Sequence, residues 1–516
     1  MTGDLLLAGG RLPGSTSEGR FSDGGAAVDI VIADGEIAVI TPAGDGTPKG
    51  FERIELDGRW VVPGLWDNHV HFTSWAAVAQ RLDVASARSA AEAATLVGEA
   101  ERSEAARGAA SVGDSAEAAY PLVGIGFRDA LWPDEPSAAL LDAVSGSRPV
   151  VLISADLHCC WLNTAALRRF GFDGDAAGSP RGVLREEPAF AVQRALGELP
   201  DALTDAWALD AASAAAARGV VGVVDLEMTW NAGTWARRVA DGNDLLRVEF
   251  GVYPQHLERA IAEGLRTGEP LAGTQGLVQV GPFKVITDGS LNTRTAFCFD
   301  EYPGLEGRPD AHGQLTVPPE ELSALLHRAR EAGLVPAVHA IGDHANRLAL
   351  DAFEALGGGG SLEHAQLLDE ADIARFAGLG VIASVQPEHA MDDRDVAERY
   401  WAGRTGRAFA LESLRAAGAT LALGSDAPVA PLDPWVTMAA AVGRTRDGRE
   451  PWHPEQRIPA SAALLASTRG RASVRTGQAA DLTVVEHDPL TAAPDALRTM
   501  PVALTLLAGR ETHRAL

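Results

Sequence analysis

The sequence predicts an α/β fold: a (β/α)8 TIM barrel with an inserted subdomain, flanked by a small β-sandwich built from both chain ends. Three observations lead to it. Apolar strand-like runs alternate with Ala-, Leu- and Arg-rich helical stretches through the middle of the chain, the pattern of a parallel sheet covered by helices. Short strands punctuated by Gly and Asp occupy both ends. Histidine, lysine and aspartate recur where the strand-like runs stop, on the face where barrel enzymes carry their sites.

In chain order, residues 1–62 read as the first part of the sandwich, with strands at 5–8, 28–32, 36–40 and 51–56. Residues 63–465 read as the barrel. Its strands are expected at 60–65, 220–226, 246–253, 277–286, 335–340, 361–364, 381–386 and 420–424. The gap at about 75–215 is too long for one helix and must hold the inserted subdomain, with a strand of its own at 149–154. Gly357–Gly360 is a turn before a strand; it lacks the Lys-Ser/Thr that would follow in a phosphate loop. Residues 466–516 return to the sandwich through strands at 481–486 and 502–507.

Composition sets outer bounds. A hydrophobic content of 46% and a charged content of 22% in 516 residues are those of an ordinary globular protein. The net charge of −26 opposes nucleic acid and anionic membrane as partners. No segment approaches the roughly 18 apolar residues of a membrane span, and the N-terminal Met-Thr-Gly-Asp-Leu-Leu-Leu lacks the basic region of a signal peptide. Cys159, Cys160 and Cys298 make no disulfide framework. The expectation is a cytoplasmic protein acting on a small molecule, with a homodimer left open.

His69-Val-His71 is the most informative motif. In an extended segment residues i and i+2 share a side, so two imidazoles converge from one strand end, as a bound metal needs. Two surface histidines are the bland alternative. Lysine usage is the second clue: of 44 basic residues only Lys49 and Lys284 are lysine. Lys284 sits in the apolar run Val278-Gln-Val-Gly-Pro-Phe-Lys-Val-Ile-Thr-Asp288. Unlike arginine, lysine can lose its proton when desolvated. A neutral amine there can act as base or nucleophile, or be carboxylated to a metal-bridging carbamate; a buried stem with a snorkelling head is the alternative. His339, His364 and Asp426 close the fifth, sixth and eighth runs. A lone histidine at a strand end is more often a satisfied core residue. Ligand-type residues at corresponding points of a repeat are not explained that way.

These segments resemble the amidohydrolase superfamily, and within it the amidohydrolase-3 or YtcJ-like branch. The resemblance is carried by Pro63-Gly-Leu-Trp-Asp-Asn-His-Val-His-Phe72, Lys284-Val-Ile-Thr-Asp-Gly-Ser290, Val338-His-Ala-Ile-Gly-Asp343, Leu362-Glu-His-Ala-Gln366, Ser384-Val-Gln-Pro387 and Leu423-Gly-Ser-Asp-Ala-Pro428. Leu131-Trp-Pro133, Asp156-Leu-His-Cys-Cys-Trp-Leu-Asn163, Gly182-Val-Leu-Arg-Glu186 and Gln478-Ala-Ala-Asp-Leu482 extend it over nearly the whole chain. It implies a binuclear centre of two divalent ions, zinc first, with manganese or iron as alternatives. His69 and His71 would bind the more buried metal and His339 and His364 the second. Lys284 would be carboxylated and bridge them. Asp426 would ligate the buried metal and take the proton of the bridging water. The implied activity is hydrolysis of a carbon–nitrogen bond in an amide, an N-acyl or N-formyl compound or a cyclic amide, by a metal-bridging hydroxide. Deamination of a nitrogen heterocycle and hydrolysis of an ester or lactone use the same chemistry. A non-catalytic binding or regulatory protein on this scaffold is the reading from another class.

Asp67 either orients a ligating imidazole or caps the turn after the first strand. His344 stands where this family more often has arginine, and either alters substrate preference or is simply exposed. The stretch 466–477 looks shortened relative to the family. Candidate substrate contacts are His158, Trp161 and Asn163 in the insertion, Trp75 after the first strand, and Arg294, which is the expected anion contact. Cys159 and Cys160 read as small buried hydrophobes.

Overall fold

The computed structural model describes residues 4–14, 25–44, 50–108, 120–129, 132–155, 159–172, 182–185 and 187–516. Lys49 and His158 lie outside them. The chain divides into two compact units, Met1–Trp75 with Leu209–Leu516, and Ala76–Ala208.

In the first unit, eight parallel strands follow one another in chain order: Leu65–Val70, Val220–Asp225, Arg247–Val252, Val278–Ile286, Pro336–Ala340, Gly360–His364, Val381–Val385 and Leu421–Leu423. All six residues of Val220–Asp225 are buried, as expected of a strand covered on both faces. The last strand returns to the first just beyond its own end. Asp426 N donates to His69 O at 2.8 Å and His71 N donates to Ala427 O at 2.8 Å, so the two bonds that close the barrel flank the His-x-His motif.

The first barrel strand differs from expectation. Trp60–Pro63 is not part of the barrel; it pairs antiparallel with Leu482–Val485 in the sheet of the chain ends. The barrel begins at Leu65. Both stretches are short apolar runs, and periodicity alone cannot assign them to different sheets. The chain crosses between them at Gly64, where a Cβ would lie 2.5 Å from the Val221 side chain.

The chain ends share one continuous ladder. Its order is Arg510–Arg514, Val502–Leu507, Leu482–Val485, Trp60–Pro63, Leu5–Arg11, Ala27–Ala33 and Glu36–Pro42, with Glu52–Glu55 also paired to Leu5–Arg11. Alternate residues such as Leu5, Leu7, Ile30, Ile32, Val61, Leu482, Val484, Leu504 and Leu506 meet in one core. The polar strand Arg510–Arg514 had no apolar alternation to announce it.

The second unit carries its own five-stranded sheet, in the order Val183–Arg185, Cys159–Leu162, Val150–Ser154, Leu122–Phe127 and Leu82–Asp83. Among the described residues no helix is long and apolar enough to cross a membrane.

Candidate metal centre

The C-terminal ends of the barrel strands bring the expected ligand-type residues together. The first strand supplies His69, which is 1% exposed, and His71, which is half-buried. Asp426, past the eighth strand, sets Oδ1 at 3.5 Å from His69 Nε2 and 3.4 Å from His71 Nε2. His69, His364 and Asp426 offer ligand atoms that all lie within 4.8 Å of one another. The His364 ring centroid is 4.9 Å from that of His69 and 4.4 Å from that of His339. This crowding needs glycine at 424, where a Cβ would sit 2.8 Å from the His69 Cβ.

Local backbone conformation helps aim these groups. His364 and Asp426 both adopt the left-handed region, with φ 73° and 58°. Such residues are costly and concentrate at functional sites. At His364 the turn also ends the strict alternation of the strand, so Glu363 and His364 both reach the site although they are neighbours in sequence.

Glu363 is the residue that orients His69, through a 2.7 Å contact between its Oε2 and His69 Nδ1. Burial works against its charge, but the Lys284 ammonium and the His69 contact hold its carboxyl down to about 2. Asp67 takes the capping role instead: its Oδ1 accepts from the backbone N–H of His69 at 3.2 Å and of Ser425 at 2.9 Å. Asp288 does the same past the fourth strand, accepting from Phe297, Ile341 and Gly342 at 2.9, 3.0 and 2.9 Å. It also lies 3.5 Å from His339 Nε2.

Electrostatically the centre is a desolvated pocket. Burial pushes the Lys284 amine down to about 8, against the opposing pull of Glu363 and Asp426. Burial, then Lys284, brings His339 down to about 3, and burial takes His364 well below its ordinary value. These imidazoles are therefore neutral at pH 7, the form that ligates metals. His71 moves the other way: burial opposes its charge, but the Asp426 carboxylate raises it.

The residues fit a divalent cation. Lys284 Nζ, His339 Nε2, His364 Nδ1 and His389 Nε2 are buried polar atoms without a hydrogen-bond partner. Buried polar groups are almost always satisfied. Imidazole nitrogen, carboxylate oxygen and a lysine able to lose its proton make a donor set suited to zinc and its neighbours.

Sequence reasoning missed Glu363, Asp288 and His389. His389 is buried at the start of the helix His389–Tyr400, with Nε2 3.7 Å from Asp426 Oδ2. Its signal was available, since it follows the seventh strand as the other site residues follow theirs. Glu363 had no such signal, because alternation argued that it faced away from His364.

The expected substrate contacts divide. Trp75 lies one helical turn beyond His71, its N–H donating to His71 O at 2.8 Å, and is half-buried. The structure corrects Trp161 and Asn163. Both are fully buried inside the second unit, Trp161 against Phe127 and Trp132. Asn163 caps the helix Thr164–Arg169, accepting from Ala166 N at 2.8 Å and donating to Arg148 O at 2.7 Å. Arg294 has a packing partner of its own. Its guanidinium lies over the Tyr400 ring, 5.5 Å from the centroid, at the far end of the helix that begins with His389. Eleven residues of helix separate those ends by ~16 Å. His344 is neither free nor at the centre: it stacks on Phe297 and Phe299 at 4.5 and 4.2 Å. The cysteines are buried, and burial pushes Cys160 and Cys298 up to about 12 and about 11.

A sequence profile described as "Amidohydrolase family" matches residues 52–513. The chain is 27% identical to the putative amidohydrolase YtcJ of Bacillus subtilis, over 90% of this chain and 91% of that protein. It is 26% identical to the N-substituted formamide deformylase of Arthrobacter pascens, over 93% and 94%, and 29% identical to the Arabidopsis thaliana protein LONG AFTER FAR-RED 3, over 90% and 82%. The crystal structure of an uncharacterized metal-dependent hydrolase from Pyrococcus horikoshii superposes with a TM-score of 0.74 at 23% identity, covering 95% of this chain and 99% of that one. With a barrel of this topology and a profile match over most of its length, the chain belongs to the amidohydrolase family of hydrolases.

Proposed function

We propose that this protein is a metal-dependent amidohydrolase that cleaves the carbon–nitrogen bond of an amide, an N-acyl or N-formyl compound or a cyclic amide. The observation that carries the reading is the set of buried side-chain nitrogens without hydrogen-bond partners on residues that follow or close the barrel strands: Lys284 Nζ, His339 Nε2, His364 Nδ1 and His389 Nε2. The Arthrobacter pascens relative, a formamide deformylase by name, supports the choice of bond.

In this reading His69, His71, His339, His364 and Asp426 hold two divalent ions, zinc first. Such ions supply Lewis acidity, lowering the pKa of water from about 15.7 toward neutrality and polarising a carbonyl. Lys284 would serve as a further anionic ligand once carboxylated: its neutral amine would add to carbon dioxide, forming a C–N bond and releasing one proton. Burial that brings the amine down to about 8 favours the reactive form. Asp426 accepts a proton from the attacking water and delivers it to the leaving nitrogen. Glu363 holds the His69 ring in place by its Nδ1 contact. The reading includes a cytoplasmic setting, in keeping with three buried free cysteines, and a small-molecule substrate.

The test is metal content per chain by inductively coupled plasma mass spectrometry, on protein purified without chelator, with Lys284→Ala beside it. About two equivalents, falling in the variant, support the bridged pair. One equivalent indifferent to Lys284 reduces the site to a single metal. No uptake, even with zinc and bicarbonate supplied, overturns the reading.

A further inference from the structure

The mouth of the barrel differs from side to side. Over the fourth, sixth and seventh strands it is polar. Asp393, one helical turn beyond His389, accepts from Asn292 Nδ2 at 2.7 Å and from Gln366 Nε2 at 3.2 Å, and Ser290 and Thr293 share a 2.9 Å hydroxyl contact close by in sequence. Over the eighth, first and second strands it presents exposed apolar side chains. Val429 is 64% exposed and Met228 is 53% exposed, the two most exposed large apolar side chains among the described residues. Half-buried Trp75 lies in the helix Phe72–Val78, which follows the strand between theirs.

Val429 and Trp75 are each tied to the centre by a backbone hydrogen bond, and Met228 follows a residue whose side chain anchors the helix carrying Trp75. Val429 N donates to Asp426 O at 2.8 Å, closing a tight turn on the proton-carrying residue. Trp75 N donates to His71 O at 2.8 Å. Met228 follows Glu227, whose carboxylate accepts from Ser74 N at 2.8 Å, in the same first helical turn that carries Trp75. The strands that these residues follow are neighbours in the barrel, one step of ~4.8 Å apart from each to the next. Single exposed apolar residues need no explanation, but three that follow neighbouring strands beside a desolvated centre mark a place for an apolar ligand group.

We infer that this arc is the subsite for an apolar substituent on the scissile amide, so that the substrate class is amides with an aliphatic or aromatic tail. The inference rests on the metal-dependent reading above. A substrate group is the occupant favoured by continuity with the centre. The opposite wall offers a carboxylate, amides and hydroxyls instead.

The experiment is isothermal titration calorimetry of the zinc-loaded full chain with acetohydroxamate, butyrohydroxamate and hexanohydroxamate, chelators that differ only in tail length. Affinity should tighten by roughly two- to fourfold for each added methylene. Met228→Ser combined with Val429→Ser should keep zinc content and acetohydroxamate affinity and lose most of the gain of the longer tails. Val429→Thr, nearly isosteric, should lose part of it and guards against a double variant that fails to fold. If acetohydroxamate binds but all three ligands agree within twofold, the arc is not a subsite, and the inference falls while the metal reading stands. A flat series from a chain that sediments as a dimer would assign the arc to a second copy and overturn it equally. A tail-length gain that survives both variants would locate the apolar contact elsewhere. Absence of both zinc and hydroxamate binding would remove the reading beneath.

Discussion

Glu388 and His389 are neighbours in the chain, and they belong to opposite kinds of buried network. Glu388 is saturated: Arg446 Nη1 and Arg498 Nη1 donate to its Oε1 at 2.9 Å and Arg498 Nη2 donates to Oε2 at 2.9 Å. The Asp481 carboxylate, where the sheet of the chain ends meets the barrel, is wired the same way, by Arg247 at 2.8 and 3.1 Å and by Ala508 N at 2.8 Å. His389 belongs to the other kind, with Lys284, His339 and His364, where donor atoms are buried and none has a hydrogen-bond partner. Paired charge fastens elements together. Unpaired polarity in a dry pocket costs stability and is retained where a ligand completes it.

The comparison is tested hardest at Asp426, whose carboxylate lies within 3.7 Å of His69, His71 and His389. Asp426→Asn keeps the shape and removes the proton acceptor. On the first amide found to be a substrate, kcat should fall by about a hundred- to ten-thousandfold. A loss under tenfold would take Asp426 out of the proton path.

Lys284 gives the next largest effect, with a sign that separates the two networks. Its amine is brought from 10.5 down to about 8 by burial, so between those values the unfolded chain binds the extra proton and stability rises with pH. Below about 8 the full penalty is present, on the order of 3 kcal/mol. In metal-free, carbon-dioxide-depleted buffer at pH 7, Lys284→Met should therefore raise the denaturation midpoint, and the pH-dependent gain between 8 and 10.5 should vanish. A destabilised variant would mean that the amine has a partner in solution. At Glu388 the sign reverses: Glu388→Ala strips Arg498 of its carboxylate and leaves Arg446 only Asp392 and Asp447, and it should destabilise by about 2 kcal/mol, below the range of fully buried pairs because both arginines are partly exposed. Chemical denaturation of the two variants side by side reads both signs.

The same contrast explains what was legible beforehand. Residues that end strands in a repeating pattern, His69, His71, Lys284, His339, His364 and Asp426, could be read from spacing, because one strand end per repeat faces one mouth. All but the first barrel strand were recognised from apolar runs. That one failed because Trp60–Pro63 and Leu65–Val70 are joined apolar strands in different sheets, separated by a single glycine. Glu363 was hidden by the left-handed turn at His364, a backbone fact that side-chain alternation cannot report. Trp161 and Asn163 stand in a motif that looked like a binding loop. Their neighbours in space, Phe127, Trp132 and Arg148, come from other parts of the insertion.

Arg294 is the smallest effect and the finest probe of the comparison, since it belongs to neither network. An exposed arginine at a barrel mouth invites the role of anion contact. Its guanidinium instead packs on Tyr400, 5.5 Å from the ring centroid, and the Arg294 backbone holds a left-handed φ of 57°. A partly exposed cation–π contact is worth ~0.5–1 kcal/mol. Arg294→Ala should cost about that much in urea denaturation. Arg294→Gly, which relieves the backbone as well, should cost less. For an anionic amide the KM of either variant should stay within about twofold of the parent, because the guanidinium is already engaged by the Tyr400 ring. A KM raised tenfold for the anionic substrate alone would return Arg294 to the mouth. It would also show that the helix His389–Tyr400 shifts when substrate binds.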